Sequence, residues 1–193
     1  ENGQITIATW STKLQIDKST TLLKVSDRRT GAILFEEVKP VAYEKGKTIL
    51  SLKENPDEYF YGGGVQNGRF SHKGKSIAIE NQNSWTDGGV ASPTPFYWST
   101  KGYGFMWHTF KPGKYDFGAD EKGIVKLSHD TDYLDVFFMA DREPESILGS
   151  LYSQPTEAQR ISKMAVSLLN SFYQLTGNPV LLPKFGFYQG HLN

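Results

Sequence analysis

Apolar and polar residues alternate along the first two thirds of the chain, and the period changes near Arg142. Gln4 to Trp10, Lys13 to Asp17 and Ser76 to Glu80 alternate in this way, and Leu22 to Ser26 is a further apolar-rich run. Period two sends alternate side chains to one face, so each run predicts a half-buried strand. Asp27-Arg28-Arg29-Thr30-Gly31 reads as a turn into Ala32-Ile33-Leu34-Phe35. Phe96 to Thr100 and Tyr103 to Trp107 flank Lys101-Gly102, which predicts a hairpin with a Lys-Gly tip. Ile124 to Leu127 and Tyr133 to Phe138 close the series. Short strands separated by turn clusters predict an antiparallel β-sandwich.

Beyond Arg142 the period becomes helical. Pro144 suits a first helical turn, followed by Ile147, Leu148, Leu151 and Tyr152. A second helix is better marked. Thr156 and Gln159 match a capping box, and Ile161, Met164, Ala165, Leu168, Leu169, Phe172 and Leu175 form one apolar stripe. Gly177 and Pro179 end it. Val180 to Gln189 then reads as one buried strand. Ser146 to Tyr152 echoes Ser167 to Tyr173 at an offset of 21 residues. Leu and Ile recur at helical spacing by chance, so the echo does not establish a duplication.

Composition narrows the function classes. The chain has 193 residues, long for one domain and short for two. Lys+Arg and Asp+Glu are 21 each, so the net charge is 21 − 21 = 0. That argues against a nucleic-acid binder or a polybasic membrane surface. No run approaches the ~18 apolar residues of a membrane span. Cysteine is absent, which removes disulfides, thiolate nucleophiles and cysteine-ligated zinc. It does not set the compartment, extracellular or cytoplasmic. The opening Glu1-Asn2-Gly3, without Met, reads as processed or cut from something longer, and it has no signal peptide. Twelve Phe, 10 Tyr, 4 Trp and 19 Gly suit β structure with many turns and sugar-stacking surfaces.

Candidate chemistry is sparse. His72, His108, His129 and His191 have no His partner at metal-ligand spacing, so no metal site is expected; His72 and His129 read as solvated loop residues. Tyr61 to Gly68 is Gly-rich, but Asn67 breaks the dinucleotide pattern and no helix follows; it reads as a tight β-turn where backbones approach closely. Asp116, Asp120, Asp130, Asp132, Asp135, Asp141, Glu143 and Glu145 read as solvated turn and strand residues. Nothing pairs two of them as a retaining glycosidase requires, with carboxyls ~5–5.5 Å apart. No nucleophile elbow of the Gly-x-Ser-x-Gly kind is present. The segment Asn81 to Pro95 reads as a long loop with a Trp face (Trp85), an Asp acceptor (Asp87) and several amides. That equipment suits a sugar, and equally a surface loop with Trp85 tucked against the sandwich edge.

Several stretches, in order, resemble glycoside hydrolase family 31, the α-glucosidase and α-glucosyltransferase family. Tyr59-Phe60-Tyr61-Gly62-Gly63-Gly64 looks like its Tyr-Gly-Leu-Gly-Glu turn, with Gly63 and Val65 in place of Leu and Glu. Lys73-Gly74-Lys75 and the strand to Glu80-Asn81 match its Arg-Gly-Lys then Trp-Asn-x-Asp run. Pro95-Phe96-Tyr97-Trp98-Ser99 with Gly102-Tyr103-Gly104 is similar to its Pro-Phe-x-x-Ser…Gly-Tyr-Gly hairpin. Leu175-Thr176-Gly177-Asn178-Pro179 with Leu182-Pro183-Lys184 is like its Leu-Thr-Gly-x-Pro…Pro-Lys junction, the most specific of the four. The tail from Phe185 to Asn193 looks most like a branch acting on alternan-type or cyclic α-glucans.

The resemblance covers about residues 50 to 193. It implies a mainly β fold: a mutarotase-like antiparallel sandwich at 1–142, a helical linker at 143–177, and at 178–193 the first strand of a truncated (β/α)8 barrel. It departs from the family in an extra stretch of about Glu145 to Ala165 at the junction. The family's catalytic carboxylates stand on later barrel strands, so this chain is expected to hold none and to be inactive alone. No cofactor is implied. The implied partners are an α-glucan or oligosaccharide and the remainder of the barrel, with self-association available through the C-terminal strand. Trp85 and Asp87 become candidate contacts on a loop leaning over the barrel mouth. His191 and Asn193, at a strand's C-terminal end with Gln189, become candidate sugar contacts. The competing readings are a stand-alone carbohydrate-binding sandwich and a purely structural adhesion domain. A module has no use for the Leu-Thr-Gly-Asn-Pro junction.

Overall fold

The computed structural model describes residues 3–68, 70–82, 84, 89–141 and 156–180. Twelve strands and one helix follow in order: β1 (Gln4–Ala8), β2 (Thr12–Asp17), β3 (Leu23–Asp27), β4 (Ile33–Glu44), β5 (Lys47–Lys53), β6 (Phe60–Gln66), β7 (Ser76–Ile79), β8 (Val90–Ser99), β9 (Tyr103–Trp107), β10 (Gly113–Phe117), β11 (Ile124–His129), β12 (Val136–Ala140) and α1 (Glu157–Thr176). All strand pairs are antiparallel. They form an eight-stranded sheet, β1-β2-β3-β4-β5-β11-β10-β7, and a four-stranded sheet, β12-β9-β8-β6.

The alternation explains how the sheets face each other. In β5, Leu50 and Leu52 point inward and in β11 Val125 and Leu127 do, each at most 2% exposed. Across the gap stand Tyr97, Phe105 and Trp107 of the small sheet, with Phe60, Tyr115 and Phe117 completing an aromatic core. The ring of Tyr97 meets Phe117 edge-on at 5.3 Å, a favoured packing for aromatic quadrupoles. Burying each such side chain contributes roughly 1.5–3 kcal/mol.

The intervening residues of the small sheet are apolar too, and α1 covers them. Phe96, Trp98, Met106 and Met139 point outward and pack against Met164, Leu168, Leu169 and Phe172. The Phe96 and Phe172 rings stack at 4.2 Å. Both faces of this sheet are therefore covered, which accounts for the unbroken run Phe96-Tyr97-Trp98. The capping box is formed: Gln159 N–H donates to the Thr156 hydroxyl at 3.3 Å, and Thr156 N–H donates to Gln159 Oε1 at 2.9 Å. Gly177, at φ 96°, closes the helix by donating to Tyr173 O at 2.7 Å. No helix among the described residues is long and apolar enough to cross a membrane.

Three sequence expectations change. The Gly-rich turn at 61–64 is part of strand β6. The loop expected over 81–95 is shorter, because Val90 to Pro95 belong to β8. Strands β5 and β10 carry no mark in the pattern read above, yet both lie mid-sheet. The first expected helix, the first copy of the echo and the C-terminal strand after Val180 lie outside the described residues.

Candidate functional site

Strands β6 and β8 lead to the end of the sandwich that carries the 80–89 connection. Their backbones approach closely there. A Cβ on Gly64 would stand 2.1 Å from Ser92 O, and one on Gly62 2.7 Å from Phe96 O; both residues also have positive φ, 79° and 112°. Only glycine meets both demands. The close approach expected of this tract is present, inside a bulged ladder whose register shifts between Gly62 and Gly64.

This ladder holds the base of the connection. Asn67 N–H donates to Gly89 O at 2.9 Å, the Asn67 carboxamide donates to Ser84 O at 2.6 Å, and Ser84 N–H donates to Val90 O at 2.9 Å. Beside it opens a cleft of about 310 Å³, lined among others by Glu80, Asn81, Pro93, Pro95, Thr109 and Phe110. Phe110 is fully solvated, at 105% relative exposure. An apolar ring, a carboxylate and a carboxamide around one cleft can stack on a sugar face and bond its hydroxyls.

The segment that follows Phe110 is anchored to a buried histidine. His129 is fully buried, correcting the expectation of a solvated loop residue. Its Nδ1 lies 2.9 Å from Lys111 O and its Nε2 3.0 Å from the Tyr115 hydroxyl. A carbonyl only accepts, so Nδ1 carries the proton and Tyr115 donates to Nε2. Burial holds the imidazole below its ordinary value and pushes the Tyr115 phenol up. His72 is buried as well, again against expectation: its Nε2–H donates to Gly62 O at 2.8 Å and its ring stacks near Phe117. Among the described histidines only His108 is exposed, paired with Asp135 at 2.8 Å.

The described carboxylates of the Asp116 to Glu145 group are mostly exposed, as expected of solvated turn and strand residues. Asp116 is buried rather than solvated, accepting from the Ser76 hydroxyl and from Ala119 N–H at 3.1 Å. Asp120 pairs with Lys114 at 2.8 Å and Asp130 with Lys47 at 2.6 Å. Among the described residues no group of three His, Asp or Glu side chains is placed to hold a metal ion. Glu143 and Glu145 lie outside the described residues, as do all four candidate contacts: Trp85, Asp87, His191 and Asn193.

Two features were not singled out from sequence. One is Phe110, whose only signal was an aromatic between His108-Thr109 and Lys111-Pro112. The other is Glu58, buried at the opposite end of β6 and β8. It accepts from Asn55 Nδ2 at 2.8 Å and from the Ser99 hydroxyl, and it meets the Tyr103 hydroxyl. Lys73 spans the same loop, donating to Pro56 O and Glu58 O, each at 2.7 Å. The Lys73, Ser99 and Tyr103 of the recognised stretches thus meet in one structural network.

A model of the glycosyl hydrolase 31 N-terminal galactose mutarotase-like domain matches residues 1–116. The chain belongs to that family. Alpha-xylosidase A of Aspergillus niger is 38% identical over 71 residues, covering 36% of this chain and 9% of the relative. An alpha-xylosidase of Emericella nidulans is 28% identical over 152 residues, 76% of this chain and 16% of the relative. The match to this chain therefore spans less than a fifth of either relative. The cycloalternan-forming enzyme of Listeria monocytogenes, solved with a pentasaccharide substrate, shares the fold at TM-score 0.74 and 16% identity, covering 96% of this chain and 17% of that one. A family 31 dextranase of Flavobacterium johnsoniae, solved with glucose, does so at TM-score 0.68 and 18% identity, over 78% of this chain and 19% of that one.

Proposed function

We propose that this chain is the N-terminal portion of a retaining enzyme acting on α-glucosidic bonds, as hydrolase or glucosyltransferase. It supplies a substrate-binding loop and no catalytic carboxylate. The observation that carries the reading is the clamped base of the 80–89 connection beside an open cleft. Asn67, Ser84, Gly89 and Val90 tie the base of that connection through three hydrogen bonds. Trp85 is the stacking face and Asp87 the hydroxyl acceptor, with His191 and Asn193 as further sugar contacts. Retention requires a nucleophile and an acid/base ~5–5.5 Å apart. The resemblance places both on barrel strands beyond Asn193. The fungal relatives favour a second reading, in which the parent cleaves α-xylosidic bonds.

The test uses the parent protein. Losing one hydrogen bond to a hydroxyl weakens binding by about 1 kcal/mol, roughly fivefold. Asp87→Ala should raise KM or shift acceptor preference by that factor and leave Tm unchanged. A fall in Tm with unaltered kinetics would overturn the role of the loop. Parallel assays on aryl α-glucoside and aryl α-xyloside separate the two specificities. The 193-residue chain alone should hydrolyse neither, and turnover abolished by a substitution within it would overturn the division of labour.

A further inference from the structure

The edges of the two sheets are protected to different degrees. Edge strand β7 has four residues, flanked by Lys75 and Glu80. Edge strand β6 is interrupted by three glycines at positive φ and a shifted register. Edge strand β12 lines a cleft with the Thr9–Thr12 turn and the α1 residues Ser171 and Leu175. Among the described residues, edge strand β1, Gln-Ile-Thr-Ile-Ala, has none of these devices. It carries no charge and no proline, pairs with β2 without a bulge, and every residue of it is exposed. Sheet proteins guard edges with charge, proline, bulges or cover, and an edge without them is a template for another strand.

The direction of its backbone groups follows from the hairpin. Thr9 N–H donates to Thr12 O at 2.9 Å, and Lys18 N–H donates to Gly3 O at 2.8 Å. Hydrogen-bonded pairs alternate along an antiparallel ladder. Ile5 and Ile7, like Gly3 and Thr9, therefore turn their backbone groups toward β2. Gln4, Thr6 and Ala8 turn theirs outward. The side chains of Ile5 and Ile7 share the face of Ile16 and Leu14, their partners on β2, and Leu14 packs on the core. Yet they are 47% and 58% exposed.

We propose that β1 is a homodimer interface, pairing antiparallel with β1 of a second copy about a two-fold axis at Thr6. In this register Thr6 opposes its own counterpart and Gln4 opposes Ala8 of the second copy. Every outward N–H and C=O of the strand then finds a partner in both copies. Ile5 falls opposite Ile7 of the second copy and their exposed side chains cover each other, as an isologous contact requires. The flanking strand β2 adds charge complementarity. Lys13 sits beside Ala8 and Asp17 beside Gln4. The two outermost cross-strand rows therefore run from Lys13 of one copy to Asp17 of the other, so no like charges end the same row.

The test is sedimentation equilibrium of the 193-residue chain. The expected species is a dimer. Thr6→Pro removes one outward N–H and seats a ring on the two-fold, while the bond pattern to β2 stays intact, since proline is tolerated at such edge positions. It should weaken association at least about tenfold with an unchanged circular dichroism spectrum. A second variant remains informative if Thr6→Pro does not fold. The chain has no native cysteine, so Ile5→Cys/Ile7→Cys places thiols only at opposed non-hydrogen-bonded positions, about 4.5 Å apart at Cα, within disulfide reach. Oxidation should yield a covalent dimer on non-reducing gels. A monomeric wild type, a dimer that Thr6→Pro leaves equally tight, or a double-cysteine variant that never cross-links would each overturn the proposal.

Discussion

Strands β6 and β8 join two ends of the sandwich that handle polar groups differently. At one end Glu58 sits under cover with Asn55, Ser99 and Tyr103 around it, and Lys73 ties the loop above to three carbonyls. The polar atoms of Glu58 and Lys73 are thus taken up by partners within the protein. At the other end the backbone clamp of Asn67, Ser84 and Gly89 is just as complete, but Phe110 stands in water over an open cleft. A buried carboxylate is tolerated only when its acceptors are filled. An exposed ring weakens solubility and contributes nothing to the core. The closed end therefore reads as stability and the open end as contact.

The comparison can be broken by substitution. The largest effect is expected for Gly64→Ala at the open end, where the new methyl meets Ser92 O and the backbone sits at positive φ. Strain and overpacking together should remove about 3 kcal/mol or more in urea unfolding. Gly31→Ala, also at positive φ but with open space around it, should lose only about 1–2 kcal/mol. Equal losses would show that the close approach of β6 and β8 does not matter.

Glu58→Ala should follow at about 2–3 kcal/mol, since it leaves the buried Ser99 O–H without its acceptor. For a chain of this size that is a fall in Tm of roughly 5–10 °C. A neutral result would mean the closed end is not held by this network.

His129 gives a pH signature to the segment that follows Phe110. Burial holds the folded imidazole below the ordinary 6.5. Below that pH the unfolded chain takes up a proton that the folded chain does not, so stability falls as pH drops. The slope from this group is at most about 1.4 kcal/mol per pH unit. Urea melts of wild type and His129→Gln between pH 7.5 and 5 should show a shallower decline in the variant. Parallel declines would mean His129 does not titrate as its burial implies. The smallest effect is expected for Phe110→Ala, within about 0.5 kcal/mol in the isolated chain. A larger loss would move Phe110 from contact to core.

Much of the scaffold was legible from local pattern. Lys101-Gly102 turns the β8–β9 hairpin, and Thr156 with Gln159 begins α1, because such signals depend only on neighbouring residues. The misreadings share a different cause. His72, His129 and Asp116 look like polar loop or strand residues until distant segments close over them. Strand β5 was missed because Lys47-Thr48-Ile49-Leu50-Ser51-Leu52-Lys53 has apolar residues on both faces near its middle. Of the candidate site, the 81–95 loop and the Gly-rich tract stand out in the sequence, whereas Phe110 does not, since exposure is not written in residue type.

The sequence by itself determined which side chains share a face, where the chain turns, where the helix begins and ends, and the family motifs. These follow from backbone geometry over a few residues, where period two or 3.6 leaves little choice. Only the tertiary structure decided which faces are covered. Glu58 meets Ser99 across 41 positions, and the Thr48 hydroxyl donates to Thr131 O across 83. Burial and polar partners come from segments brought together by packing two sheets and a helix, so alternation fixes a side chain's direction without specifying what lies there.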